Sequence, residues 1–138
     1  MLKKALIVTL ALVLTACKTT PVKNISSEYI PTQVNGEYLT QTQIQQAIVA
    51  AAQKKKWRPR IIKPGLIMAS LNVRTHSATV LIPYTEKSYS IEYKNSDNLK
   101  YNDGNIHKSY NRWVSNLARE IENQLEIRAF YKDSQVSE

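Results

Sequence analysis

The sequence predicts an α+β fold, a two-layer sandwich ordered helix, three- to four-stranded antiparallel meander, helix. Three observations carry this expectation. A capping box opens an amphipathic run at Thr40, the centre of the chain alternates apolar and polar residues with a period of two, and a long stripe of helical period follows residue 106.

In Thr40-Gln41-Thr42-Gln43 the threonine hydroxyl can accept an early helix amide while Gln43 reaches back to the cap. Ile44, Ala47, Ile48 and Ala51 then recur at spacings of three and four, and Lys54, Lys55 and Lys56 fall where the negative end of the helix dipole favours cations. A first strand is expected over residues 57–62. Its Pro59 lacks an amide donor and suits a sheet edge.

Pro64-Gly65 marks a turn. Ile67, Ala69, Leu71 and Val73 alternate with polar neighbours, as do Ala78, Val80, Ile82 and Tyr84, and then Tyr89, Ile91 and Tyr93. Short connections make these runs antiparallel neighbours. Residues 95–105, rich in Asn and Asp, read as a loop, and a second helix is expected from about Ile106. Its stripe is Tyr110, Trp113, Val114, Leu117, Ile121 and Leu125. With both helices on one sheet face, residues 40–130 make a single domain and residues 131–138 a tail.

Ahead of this domain the chain changes character. Lys3 and Lys4 precede an apolar run over residues 5–14, about half of the roughly 20 residues that a membrane-spanning helix requires. Residues 1–16 therefore read as a signal peptide. Leu14-Thr15-Ala16-Cys17 resembles the lipobox of bacterial lipoproteins, and the resemblance implies cleavage before Cys17 and acylation of that residue. Because Lys18 rather than aspartate follows, it also implies the outer membrane, at its periplasmic face, with the inner membrane and the cell surface as alternatives.

Residues 17–39 are expected to form a lipidated tether. They carry Pro21, Pro31 and Gly36, show no sustained apolar period, and as a flexible coil would span roughly 25 Å. Several acyl chains, at about 0.8 kcal/mol per buried methylene, would hold the protein without help from basic residues.

Once the leader is gone, the 19 Lys and Arg residues fall to 17 against 11 acidic ones, and the formal charge drops from +8 to +6. An exported basic protein meets anionic lipids and envelope polymers, not nucleic acid. Cys17 is the single cysteine, so the domain holds together by packing and not by disulfides.

Trp57, Pro64-Gly65, Tyr84, Tyr89, Tyr93, Asn98-Leu99 and Tyr110-Asn111-Arg112-Trp113 resemble, as a diffuse pattern, a group of small proteobacterial lipoproteins that lack an assigned activity. This likeness supports the fold and implies no chemistry.

Catalytic patterns are missing from the sequence. Gly36, Gly65 and Gly104 stand too far apart for a phosphate-cradling loop, His76 and His107 are isolated from other metal ligands, and no metal or cofactor is expected. Ser96-Asp97-Asn98 matches one motif of penicillin-recognising enzymes but lacks its Ser-x-x-Lys and Lys-Thr-Gly partners. Asp103-Gly104-Asn105 lacks the alternating oxygen ligands of a calcium loop.

Two binding candidates remain. Lys54, Lys55, Lys56, Arg58, Arg60 and Lys63 flank Trp57 and suit phospholipid or lipopolysaccharide phosphates, or else form a solvated helix end beside a core tryptophan. The loop bearing Asn95, Asp97, Asn98, Tyr101 and Asn102 is longer than a connection needs, which suits recognition. Tyr84, Tyr89, Tyr93, Tyr101 and Tyr110 read either as a stacking platform or as core. The expected role is a non-enzymatic, membrane-anchored accessory or binding module that contacts an envelope protein, lipopolysaccharide or peptidoglycan. An immunity or inhibitor lipoprotein acting on a periplasmic toxin or enzyme is the alternative, and an envelope hydrolase the least favoured.

Overall fold

The computed structural model of the protein describes residues 18–131. Cys17, the leader and residues 132–138 of the expected tail lie outside the described residues. Within them run β1 (Thr19–Pro21), β2 (Ile25–Tyr29), α1 (Gln41–Lys54), β3 (Arg58–Lys63), β4 (Leu66–Val73), β5 (His76–Pro83), β6 (Ser88–Asp97), β7 (Asn105–His107) and α2 (Lys108–Phe130).

The architecture is α+β. A five-stranded antiparallel sheet has the order β2-β6-β5-β4-β3, and β1 pairs with β7 in a separate two-stranded sheet. The meander expected from the alternating runs is β3-β4-β5-β6, to which β2 adds a strand beside β6.

Alternation decides which residues meet the helices. Directly opposed residues share a face, and Ile67 opposes Ile82, Ala69 opposes Val80 and Leu71 opposes Ala78. All six are buried. Against them pack Ile44, Ala47, Ile48, Ala51 and Ala52 of α1 and Tyr110, Val114, Leu117, Ile121 and Leu125 of α2.

The capping box at Thr40 forms as the sequence implies. Thr40 Oγ1 accepts from the Gln43 amide at 3.1 Å, and Gln43 Oε1 accepts from the Thr40 amide at 2.8 Å. The two helices run antiparallel, since Lys54 reaches Glu120 while Gln46 shares a cavity with Arg128 and Tyr131.

The expected tether is the largest departure. Residues 18–39 are built into the domain, which spans at least residues 18–131. β1 lies along β7, β2 closes one sheet edge, and Ile30 and Leu39 are fully buried. The physical reason is local pairing: Val22 donates its amide to the Gly104 carbonyl, Ile30 to that of Lys87, and Asn111 bridges the Lys23 amide and the Pro21 carbonyl at 2.9 Å each. Backbone groups satisfied in this way do not need a dense apolar pattern.

Smaller shifts follow the same logic. The first strand runs one residue later than expected, over Arg58–Lys63, because Trp57 turns into the core at the end of α1. β6 extends through Asp97, which shortens the expected loop to residues 98–104. α2 begins at Lys108 because Ile106 is spent in β7 and the His107 side chain caps the helix, accepting from the Ser109 amide.

Candidate functional site

The basic run divides between two roles. Lys54 forms an ion pair with Glu120, at 3.1 Å, and so belongs to the helix pair. Lys55 caps α1 through its amide, and Lys56 adopts φ +69° as the chain reverses. Trp57 is only 2% exposed, hence a core residue and not a boundary anchor.

Arg58, Arg60 and Lys63 alternate along β3, opposite Ser70, Met68 and Leu66. They stand on the sheet face that points away from the helices. Across that face runs one row, Arg60, Met68, Leu81 and Glu92, cationic at the β3 edge, apolar in the middle and anionic on β6. Ile61 and Ile62, both about half exposed, lie in the same free edge strand.

The expected recognition residues are not one loop. The register of β6 shifts between its pairing with Val80 and with Thr79, so that Tyr93 opposes Val80 while Asn95 opposes Thr79 and Asp97 opposes Ser77. Lys94 is the extra residue. The shift turns Asn95 and Asp97 onto the outer sheet face, beside the row just described.

Asn98, Tyr101 and Asn102 are held by the fold. Asn98 donates its side-chain amide to Thr75 Oγ1 at 2.8 Å, and its carbonyl sits 2.6 Å from His76 Nδ1. Tyr101 stacks on Tyr93 with ring centroids 4.5 Å apart, and Tyr93 meets Tyr110 edge-on at 5.5 Å. Asn102 and Asn105 exchange backbone hydrogen bonds at 3.0 Å. Tyr84, Tyr89 and Tyr110 are core residues, so the five tyrosines do not form an exposed platform.

A further cluster escaped the sequence reading, because its members come from two stretches about 90 residues apart. Lys18, His107, Lys108, Ser109 and Arg112 line an open cavity of about 370 Å³. Partial burial, then the cations Lys100, Lys18 and Arg112 together with His76, hold the His107 imidazole below its ordinary pKa. The only hint in the sequence was Lys108 and Arg112 at the start of a helix, where cations oppose the dipole.

Among the described residues no group of three or more His, Cys, Asp or Glu side chains is placed to hold a metal ion. Glu120 is the buried carboxylate, and Gln124, Lys54 and Asn123 all direct donors at it. This arrangement holds the carboxyl below its usual range, the reverse of what a general acid needs. No helix among the described residues is long and apolar enough to cross a membrane.

Neither a family model, nor a curated protein, nor a solved structure matches the chain.

Proposed function

We propose that the protein is a non-enzymatic lipoprotein of the bacterial envelope, cleaved before Cys17, acylated there and held at the periplasmic face of the outer membrane as an accessory or binding module. The leader supports the address: two lysines, a short apolar run and Leu14-Thr15-Ala16-Cys17 stand in the order that export and lipidation require.

One observation carries the binding role. Both helices cover the same face of the sheet, and the other face is left to Arg60, Met68, Leu81 and Glu92 with Leu66 and Pro83 beside them. Half-buried apolar residues between charges of opposite sign make a surface for a protein partner. Its partner is an envelope protein that offers acidic groups to β3 and basic groups to β6.

Two measurements test this reading. Intact mass of the native protein is expected to show a chain starting at Cys17 with acyl groups, and a retained Met1 without them would overturn the address. A photo-crosslinking residue at Met68 in living cells is expected to trap one partner, lost with Leu81→Arg. Trapping no stronger than from Gln53, on the helical layer, would overturn the binding surface.

A further inference from the structure

Lys18 is covalently joined to Cys17, and the described fold is already paired at Lys18. Its carbonyl accepts from the Lys108 amide at 3.2 Å, and Thr19, Thr20 and Pro21 then pair with His107, Ile106 and Asn105. One peptide link, about 3.8 Å between α-carbons at most, joins the residue proposed to be acylated to this paired start. The domain therefore cannot swing on a coil, and the surface around Lys18 must lie against the membrane that holds the lipid.

That surface is cationic. Lys18, Lys108 and Arg112 share one cavity with His107, and Lys100 follows Leu99, whose carbonyl accepts from the His107 amide at 2.8 Å. Among the described residues none of these four cations has a carboxylate within 4 Å. Acidic residues are sparse nearby: α2 carries none before Glu120, and the 98–104 loop carries Asp103 alone.

Folding does not account for these charges. Cations at the first turn of a helix meet the positive end of its dipole and cost stability, whereas acidic residues would contribute it. Lys108 breaks this rule with no carboxylate beside it among the described residues, which points to a use outside the fold.

We propose that Lys18, Lys100, Lys108 and Arg112 form a membrane-docking surface that binds the anionic phospholipid headgroups around the lipid anchor and sets the orientation of the domain. This rests on acylation of Cys17. Arg112 supplies a fork for phosphate oxygens, its Nη2 already directed to Ser109 Oγ at 3.3 Å, and the three lysines act as point charges. Docked in this way, α2 rises from the membrane by its N-terminal end.

Lysine acylation footprinting of the full native protein in vesicles tests the proposal, with phosphatidylcholine alone or mixed with phosphatidylglycerol. Lys18, Lys100 and Lys108 are expected to react several-fold more slowly when phosphatidylglycerol is present, while Lys63 and Lys87 react unchanged. High salt should remove the difference. The double variant Lys108→Glu/Arg112→Glu should restore fast labelling of Lys18 and Lys100; a circular dichroism melt confirms that it folds.

Equal labelling with and without phosphatidylglycerol would overturn the docking surface, as would protection confined to Lys55, Lys56 and Lys63. Intact mass of the same sample reads the anchor separately. Acyl groups without lysine protection sink the docking surface alone, and protection without acyl groups sinks the anchor together with the orientation it sets.

Discussion

Lys54 Nζ lies 3.1 Å from Glu120 Oε1, which joins the last turn of α1 to the middle of α2. The partners are unequal: the lysine side chain is 59% exposed, that of the glutamate 9%. An exposed lysine contributes little, so Lys54→Ala should cost about 0.5 kcal/mol in a urea titration. Glu120 matters through its hydrogen bonds, first from Gln124 and then from Lys54 and Asn123, which outweigh the opposite push of burial and lower its pKa. The folded state then binds this proton more weakly than the unfolded chain. Its stabilising contribution is present above the ordinary value of 4.5 and is lost as pH falls through the lower folded value. Glu120→Gln should flatten that acid limb of the stability curve.

A second titration belongs to His107. Partial burial and the charges of Lys100, His76, Lys18 and Arg112 depress its pKa below 6.5. Its Nδ1 must be unprotonated to accept from the Ser109 amide, at 3.1 Å. Stability from this cap is therefore complete above 6.5 and declines as pH drops through the folded value, because the unfolded chain takes the proton first. His107→Asn keeps an acceptor at the cap. Melting curves of the variant should lose this step and keep the lower one assigned to Glu120.

The two deepest tyrosines should respond oppositely to loss of the hydroxyl. Tyr110 Oη is buried with no hydrogen-bond partner among the described residues, whereas Tyr89 Oη donates to the Ala118 carbonyl at 3.3 Å. Burial pushes both phenols well above the usual tyrosine range, so both stay neutral at any physiological pH. Tyr110→Phe removes an unsatisfied polar atom and should be neutral or stabilising by up to about 1 kcal/mol. Tyr89→Phe removes a satisfied hydrogen bond, leaves the Ala118 carbonyl only its bond within α2, and should cost about 1 kcal/mol. Equal losses in both variants would show that Tyr110 finds a partner in solution.

Thr40 gives the plainest link from sequence to stability. Thr40→Ala deletes the acceptor for the Gln43 amide while leaving the side chains that α1 buries untouched. The expected cost is about 1 kcal/mol by chemical denaturation. Thr40→Ser should recover nearly all of it, since the serine hydroxyl serves the same amide.

What the sequence revealed and what it hid follow from how each element is stabilised. α1, α2 and the strands β4 and β5 bury one face of many residues, so their periods of three to four and of two stood out. β1 and β2 are held by backbone pairing, with Ile25 the one core-facing contact in a strand of polar residues, and such strands leave no apolar period. The shift in β6 register was equally silent: Lys94 is an ordinary polar residue, yet it moves Asn95 and Asp97 onto the outer face. The cation cluster around Lys18 joins residues about 90 positions apart through the β1–β7 pairing, and no local pattern records that.

Ile30 separates the two descriptions of the N-terminal segment most sharply. It follows β2, is fully buried, and donates its amide to the Lys87 carbonyl at 2.9 Å, yet it lies in a stretch that composition assigns to a tether. Truncating a solvated tether residue changes stability by almost nothing. Ile30→Ala should instead cost about 2 to 5 kcal/mol, the range for deleting a buried Ile side chain. Proteolysis supplies the independent check: the wild-type segment from Lys18 to Leu39 should resist trypsin at Lys23, and Ile30→Ala should expose it. A loss near zero together with rapid cleavage at Lys23 in the wild type would return the segment to a free linker, and the surface around Lys18 would no longer be pinned to the membrane.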